Sequence, residues 1–300
     1  MLRDTILQAT AADGTIRASV VISTHAVEDA RIRHDTSATA TAALGRSLTA
    51  AALLSAGLKE NQSVMLRVLG DGPIGGVIAQ ADAAGHVRGY AMHPQADLPH
   101  TDGRKLDVGG LVGRRGMLHV TRDLGLRTPY HGSARLVSGE IAEDLASYFI
   151  TSEQIPSVVA LGVLVAPNLS VLAAGGLCIQ ALPGARPEIV DALEARARRL
   201  LPITQMMSTG RTIEEILAES LGDLHSHIGT TMPLAFYCRC SRERVEGVLL
   251  MLGAQELEAL VAQEGRAEVT CRFCGDRYVL SDDEVRGLIA KLRDPAPDVM

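Results

Sequence analysis

Four of the five cysteines in this chain fall into two short pairs near its C-terminal end: Cys238-Arg239-Cys240, then thirty residues, then Cys271-Arg272-Phe273-Cys274. Each pair delivers two sulfurs to one point. A helix-bearing loop that brings the pairs together therefore supplies four thiolates, the donor set of a closed tetrahedral zinc site. The predicted metal ligands are Cys238, Cys240, Cys271 and Cys274, holding one Zn2+ per chain. The other reading, four unligated core cysteines, fits this spacing poorly. So small a module has little apolar core, whereas structural zinc contributes about 10–16 kcal/mol of apparent folding free energy, as much as the whole stability of an ordinary domain. Metal is thus expected to decide whether residues 238–275 fold.

The same spacing permits oxidation once metal leaves, because cysteines two or three residues apart reach bridging distance by local curling of the chain. Arg239 and Arg272 lie inside the pairs, with Arg242, Arg244 and Arg277 close by. They either favour the thiolates or are simply solvated, and the sequence leaves both readings open. Cys178 stands apart in an apolar run and reads as a small buried hydrophobe. Four sulfurs leave no open position for an activated water, which argues against a zinc hydrolase; no catalytic residue and no enzyme activity are expected.

Other candidate sites weaken on inspection. Gly70-Asp71-Gly72-Pro73-Ile74-Gly75 has the glycine spacing of a dinucleotide loop, but a β-like run follows it where a phosphate cradle requires a helix, so a tight turn is predicted. His225 and His227 are adjacent polar histidines near a helix end and read as solvated. Glu153 has no evident acid, base or nucleophile beside it and is assigned to packing or capping at a helix end.

The elements that must position the cysteines follow from periodicity. Residues 4–10 and 15–22 alternate around Ala11-Ala12-Asp13-Gly14 and read as a hairpin; 24–34 and 37–57 read as helices. Short strands follow at 64–69, 74–81, 87–92, 117–122 and 133–137, then a helix at about 140–152 with the apolar face Ile141, Leu145, Tyr148 and Phe149. Two apolar strands, 157–165 and 169–179, close an α+β N-terminal domain over residues 1–182. Past Pro183-Gly184-Ala185-Arg186-Pro187, two amphipathic helices are predicted. One carries Ile189, Leu193, Ala197 and Leu200 and ends at Pro202; the other opens on the capping box Thr212-Ile213-Glu214-Glu215 and carries Ile213, Ile216, Leu217, Leu221 and Leu224. Short one-sided helices cannot bury that side alone, so this helical linker, residues 183–235, must dock on the larger domain or a partner, and docking of that kind can be reversed. Residues 236–300 form the small C-terminal zinc-binding domain.

Composition bounds the partners. Net charge is -6, aromatic residues make up 3% and tryptophan is absent, so nucleic acid and anionic membrane have no general electrostatic or stacking support. No apolar stretch of signal-peptide or membrane-spanning length occurs, and clustered cysteines suit a reducing compartment; a cytoplasmic location is expected.

Together these motifs resemble the heat-shock protein 33 family, the redox-regulated bacterial chaperones also called 33 kDa chaperonins. The resemblance rests on Cys238-x-Cys240-Ser241-Arg242-Glu243-Arg244 with Cys271-x-x-Cys274, on Asp71-Gly72-Pro73-Ile74-Gly75, Val87-Arg88-Gly89-Tyr90 and Ser138-Gly139-Glu140-Ile141-Ala142-Glu143-Asp144-Leu145, and on Tyr148-Phe149, Ser152-Glu153-Gln154-Ile155-Pro156 and Gly175-Gly176. It spans essentially the whole chain. The resemblance implies an ATP-independent holdase for unfolded client proteins under oxidative or oxidative-heat stress, inactive when reduced and zinc-bound. It implies disulfides Cys238-Cys240 and Cys271-Cys274 on oxidation, zinc release, unfolding of the linker, and a homodimer in place of the reduced monomer. Met206 and Met207 in the linker are candidates for client contact and equally for core filling. The alternative is a zinc-ribbon nucleic-acid-binding protein, suggested by the five arginines around the cysteines.

Overall fold

The computed structural model describes residues 2–99 and 105–293 and divides into two compact units, 1–237 and 238–300. In the first unit the strands are β1 Thr5–Ala11, β2 Ile16–Ile22, β3 Ser63–Gly70, β4 Val77–Asp82, β5 His86–Ala91, β6 Gly116–Asp123, β7 Tyr130–Arg135, β8 Ser157–Val165, β9 Val171–Ala181, β10 Ser226–Pro233 and β11 Ala235–Phe236. Its helices are α1 Thr24–His34, α2 Ala38–Ser55, α3 Val108–Val112, α4 Ala142–Tyr148, α5 Pro187–Ala197, α6 Ile203–Ser208 and α7 Ile213–Leu221. The strands build a five-stranded antiparallel sheet ordered β10-β1-β2-β9-β8 and a six-stranded sheet ordered β11-β5-β4-β3-β6-β7.

Helix α2 lies between the two sheets, and 17 of its 18 residues are buried, which explains a sequence of Ala and Leu with no polar face. Two of its buried hydroxyls are satisfied within the helix: Ser47 and Thr49 donate to the carbonyls of Ala43 and Gly45, four residues back. The five-stranded sheet is apolar on both faces. Ile6, Val21 and Cys178 point into the core around α2, while their neighbours Leu7, Val20, Leu177 and Ile179 point the other way. That second face is covered by α5, α6 and α7 through Leu193, Ile203, Met206, Met207, Ile213, Ile216, Leu217 and Leu221. Met206 and Met207 are therefore core residues in this state, 1% and 8% exposed.

The covering helices are 11, 6 and 9 residues long, too short to persist without the sheet beneath them. The predicted capping box opens α7: Thr212 Oγ1 accepts from Glu215 N–H at 3.2 Å and Glu215 Oε2 accepts from Thr212 N–H at 2.8 Å. Three features were not anticipated. Pro202, predicted to terminate a helix, also starts α6, where a missing N–H costs nothing. Residues 226–233, carrying His227, form strand β10 against β1, from Ala11↔Ser226 to Thr5↔Pro233. The helix predicted to about residue 152 changes to a π-helical turn at Phe149–Glu153 and stops at Gln154 in the left-handed region. There Glu153 accepts the Tyr148 hydroxyl at 2.8 Å and pairs with Arg122 at 2.7 Å, so it bridges a helix to β6 and does not cap.

At 70–75 the predicted tight turn is present, and β4 follows it with no helix between. A Cβ on Gly70 or Gly72 would lie 2.0 Å from Val112 O or 2.3 Å from Leu111 O, so glycine is required for close packing against the end of α3. Among the described residues no helix is long and apolar enough to cross a membrane.

The second unit contains α8 Arg242–Leu250, α9 Ala254–Glu264, β12 Arg266–Thr270, β13 Arg277–Ser281 and α10 Asp282–Arg293. Strands β12 and β13 pair antiparallel from Arg266↔Ser281 to Thr270↔Arg277. Among the described residues its core holds nine buried apolar residues, including Leu249, Leu257, Leu280 and Leu288. That is a small core for an independent unit.

Candidate metal centre

Each cysteine pair is placed by a local device. Cys271 and Cys274 occupy the turn between β12 and β13, tightened by Gly275 N–H to Cys271 O at 2.8 Å and by Cys271 N–H to Asp276 O at 2.9 Å. The turn needs a left-handed residue directly after the second sulfur, and Gly275, at φ 76°, supplies it. Cys238 and Cys240 precede α8, whose N-cap Ser241 accepts from Arg244 N–H at 3.3 Å. The second cysteine of that pair directly precedes the N-cap of α8, the end of a helix that favours negative charge.

The four sulfurs converge within 4.8 Å of one another, the arrangement the sequence spacing predicted. Two close separations cross between pairs, 3.7 Å for Cys238 to Cys271 and 3.2 Å for Cys240 to Cys274. Thiolates held about 2.3 Å from a tetrahedral zinc stand roughly 3.8 Å apart, so these side chains fit that ion with small adjustments. Without a cation so close a cluster resists ionisation. Burial pushes the Cys274 thiol far above its usual range, and the neighbouring sulfurs Cys240, Cys271 and Cys238 add to that. Burial also raises Cys240, against hydrogen bonds from Tyr278 and Cys274 that act to lower it. A bound dication reverses this balance and draws the protons off.

The surrounding arginines divide. Arg242 pairs with Glu246 at 3.5 Å and with Glu284 at 2.6 Å, and Arg277 pairs with Glu268, so their charge is committed to carboxylates. Arg239 and Arg272 are exposed, where solvent screens their effect on the thiolates. Two neighbours of Cys240 were missed by sequence reasoning: the Tyr278 hydroxyl at 3.1 Å and Asp276 Oδ2 at 3.8 Å. Only the strand periodicity of 277–281 could have suggested them, and it says nothing of sulfur.

The remaining candidates stay outside the site. His225 and His227 are exposed. Cys178 is buried opposite Ser19 and Val159, and burial pushes its thiol up to about 12. Iodoacetamide applied to the folded, reduced protein is therefore expected to spare Cys178 and to modify it only after denaturant is added. Prompt labelling of Cys178 under native conditions, read by peptide mass spectrometry, would show that it is accessible after all.

An α+β body with a helix-covered sheet, joined to a small unit whose four converging thiols could hold one metal ion, is the class of protein that fold and site define. The family model described as Hsp33 protein matches residues 4–281, and this chain belongs to that family. It is 43% identical over 293 residues to a 33 kDa chaperonin of Desulforamulus reducens, covering 98% of this chain and 99% of that one. It is 44% identical to a 33 kDa chaperonin of Bacillus cytotoxicus, over 97% and 100% of the two chains. The crystal structure of the 33 kDa chaperonin of Thermotoga maritima superposes with a TM-score of 0.91 at 38% identity, covering 97% and 99%.

Proposed function

We propose that this chain is an ATP-independent chaperone controlled by the redox state of Cys238, Cys240, Cys271 and Cys274. Reduced, the four thiolates hold one zinc ion and the chaperone is off. Zinc when bound supplies structural coordination alone, and nothing in this reading requires catalytic turnover. The observation that carries the reading is the covered sheet face: α5, α6 and α7 lay eight buried apolar side chains on the five-stranded sheet. The chain then runs through β10 and β11 directly into Cys238.

A peroxide accounts for activation with balanced chemistry. One thiolate attacks the O–O bond, becoming a sulfenic acid and releasing hydroxide; the neighbouring thiolate displaces hydroxide from that sulfur, so a disulfide and, after protonation, two waters form. We assign the disulfides to Cys238-Cys240 and Cys271-Cys274. Within each pair the closure is local, although close sulfur separations also run between pairs, Cys238 to Cys271 and Cys240 to Cys274. Disulfide sulfurs no longer hold zinc, the small unit loses its main source of stability, and the strand leading into Cys238 loses its anchor. Helices α5 to α7 then leave the sheet and expose apolar surface that takes up unfolded or partly folded client proteins. Dimerisation of the oxidised form and action in the cytoplasm belong to the same reading.

The test is suppression of aggregation of a thermally unfolding enzyme, followed by light scattering without ATP. Oxidised, zinc-free protein is expected to suppress scattering, the reduced zinc form is not, and reductant with zinc restores the inactive state. Equal protection in both states would overturn redox control. No feature of the fold or of the relatives favours nucleic-acid binding.

A further inference from the structure

We propose that the Tyr278 hydroxyl is a positioning group for the sulfur cluster: by donating a hydrogen bond to Cys240 it holds that thiolate on the metal and slows its attack on an oxidant. The proposal rests on the zinc and redox reading above and adds to it a residue outside the cysteine pairs.

Tyr278 lies on β13 opposite Val269, and its half-buried ring packs against the core of the second unit. That packing aims the hydroxyl at Cys240 Sγ, 3.1 Å away. The other polar group beside the same sulfur is Asp276 Oδ2, at 3.8 Å. A carboxylate can only accept, so once Cys240 is a thiolate Asp276 repels it; the tyrosine, which can donate, offsets that repulsion. Cys240 thus carries both a donor and an anion within reach. A hydrogen bond to a metal-bound thiolate stabilises its lone pairs, and lone pairs that are held this way are poorer nucleophiles toward a peroxide O–O bond. The proposed effect is on rate and affinity. The redox step remains that of the two thiolates and one peroxide already described.

The experiment uses the full chain and the variant Y278F, which deletes the hydroxyl and keeps the ring, with Y278L as a packing control. Zinc affinity by chelator competition is expected to fall about 10-fold or more in Y278F, the range seen when outer-sphere partners of ligands are removed. Loss of the Cys238 and Cys240 thiols to peroxide is expected to accelerate several-fold. With cobalt in place of zinc, the sulfur-to-metal charge-transfer band is expected to move to longer wavelength. The chaperone assay is not needed for any of these readouts. If Y278F matches the natural protein in affinity, oxidation rate and cobalt spectrum while Y278L does not, Tyr278 is a packing residue and the proposal is overturned. If the natural protein itself takes up no stoichiometric zinc or cobalt, the underlying reading fails, a result distinguishable from the first because there the natural protein binds. Should Y278F not fold, 3-fluorotyrosine placed at 278 provides the opposite perturbation. A stronger donor is expected to slow oxidation and shift the band to shorter wavelength, and no change in either would also overturn the proposal.

Discussion

Stripping the metal from the reduced protein with a chelator is expected to unfold the second unit and to leave α2 and the six-stranded sheet of the first folded. The expected effect is large because the core of residues 238–293 is small, nine buried apolar residues with five partly buried ones packed against them, whereas four-thiolate zinc coordination contributes on the order of 10–16 kcal/mol. The surface ion pairs of the unit, such as Arg286 with Asp282 at 2.9 Å and Arg242 with Glu284 at 2.6 Å, cannot replace it, since exposed pairs are worth about 1 kcal/mol or less. Hydrogen exchange resolved by peptide should show protection vanish from α8, α9 and α10 on chelation, while α2 and β3 retain theirs. Replacing Cys271 or Cys274 with serine should do the same without chelator. Persistent protection of α8 to α10 in metal-free, reduced protein would mean that the small core suffices.

The second expected effect acts at the other end of the device. Ile216→Asp should produce a chaperone that is active under reductant with zinc still bound. Ile216 is 0% exposed and lies on the covered face of the five-stranded sheet, in the apolar layer shared with Ile203, Leu217 and Leu221. A carboxylate there has no partner, and an uncompensated buried charge costs roughly 3–5 kcal/mol. Helices of 11, 6 and 9 residues have no comparable reserve, so they leave the sheet before the rest of the first unit unfolds. Light scattering of a thermally unfolding client under reductant gives the activity, and zinc content measured on the same sample shows that the metal was not lost. Glu214→Gln, at an exposed position of the same helix, should leave activity off. An inactive Ile216→Asp protein with helices demonstrably undocked would separate exposure of this face from client binding.

Much of this arrangement is legible in the sequence where local signals and tertiary demands agree. The hairpin of β1 and β2 alternates around Asp13-Gly14, and the all-round apolar character of 38–55 marks a helix sandwiched on every side. The cysteine spacing foretold the convergence of four sulfurs because each pair is placed locally, one at a helix N-terminus and one in a two-strand turn. What escaped is what tertiary structure imposes. Strand β10 contains Gly229 and Pro233 and exposes nearly every side chain, so despite the β-branched Ile228, Thr230 and Thr231 it shows no apolar face; it pairs along the open edge of β1, whose backbone needs partners. The π-helical turn at Phe149–Glu153 follows from Glu153 reaching both Tyr148 and Arg122, the latter 31 residues earlier in sequence than Glu153. Tyr278 was invisible as a neighbour of Cys240 because 38 residues separate them and only the packing of β13 brings the hydroxyl to the sulfur.

The central claim is that zinc coordination in one unit keeps three helices docked in the other part of the chain. Hydrogen exchange across residues 187–221, measured in the reduced zinc form and again after peroxide has formed the disulfides and released zinc, tests it most directly. The account predicts that α5, α6 and α7 lose protection in step with zinc release while the six-stranded sheet stays protected. Unchanged protection of those helices in zinc-free, fully oxidised protein would contradict it.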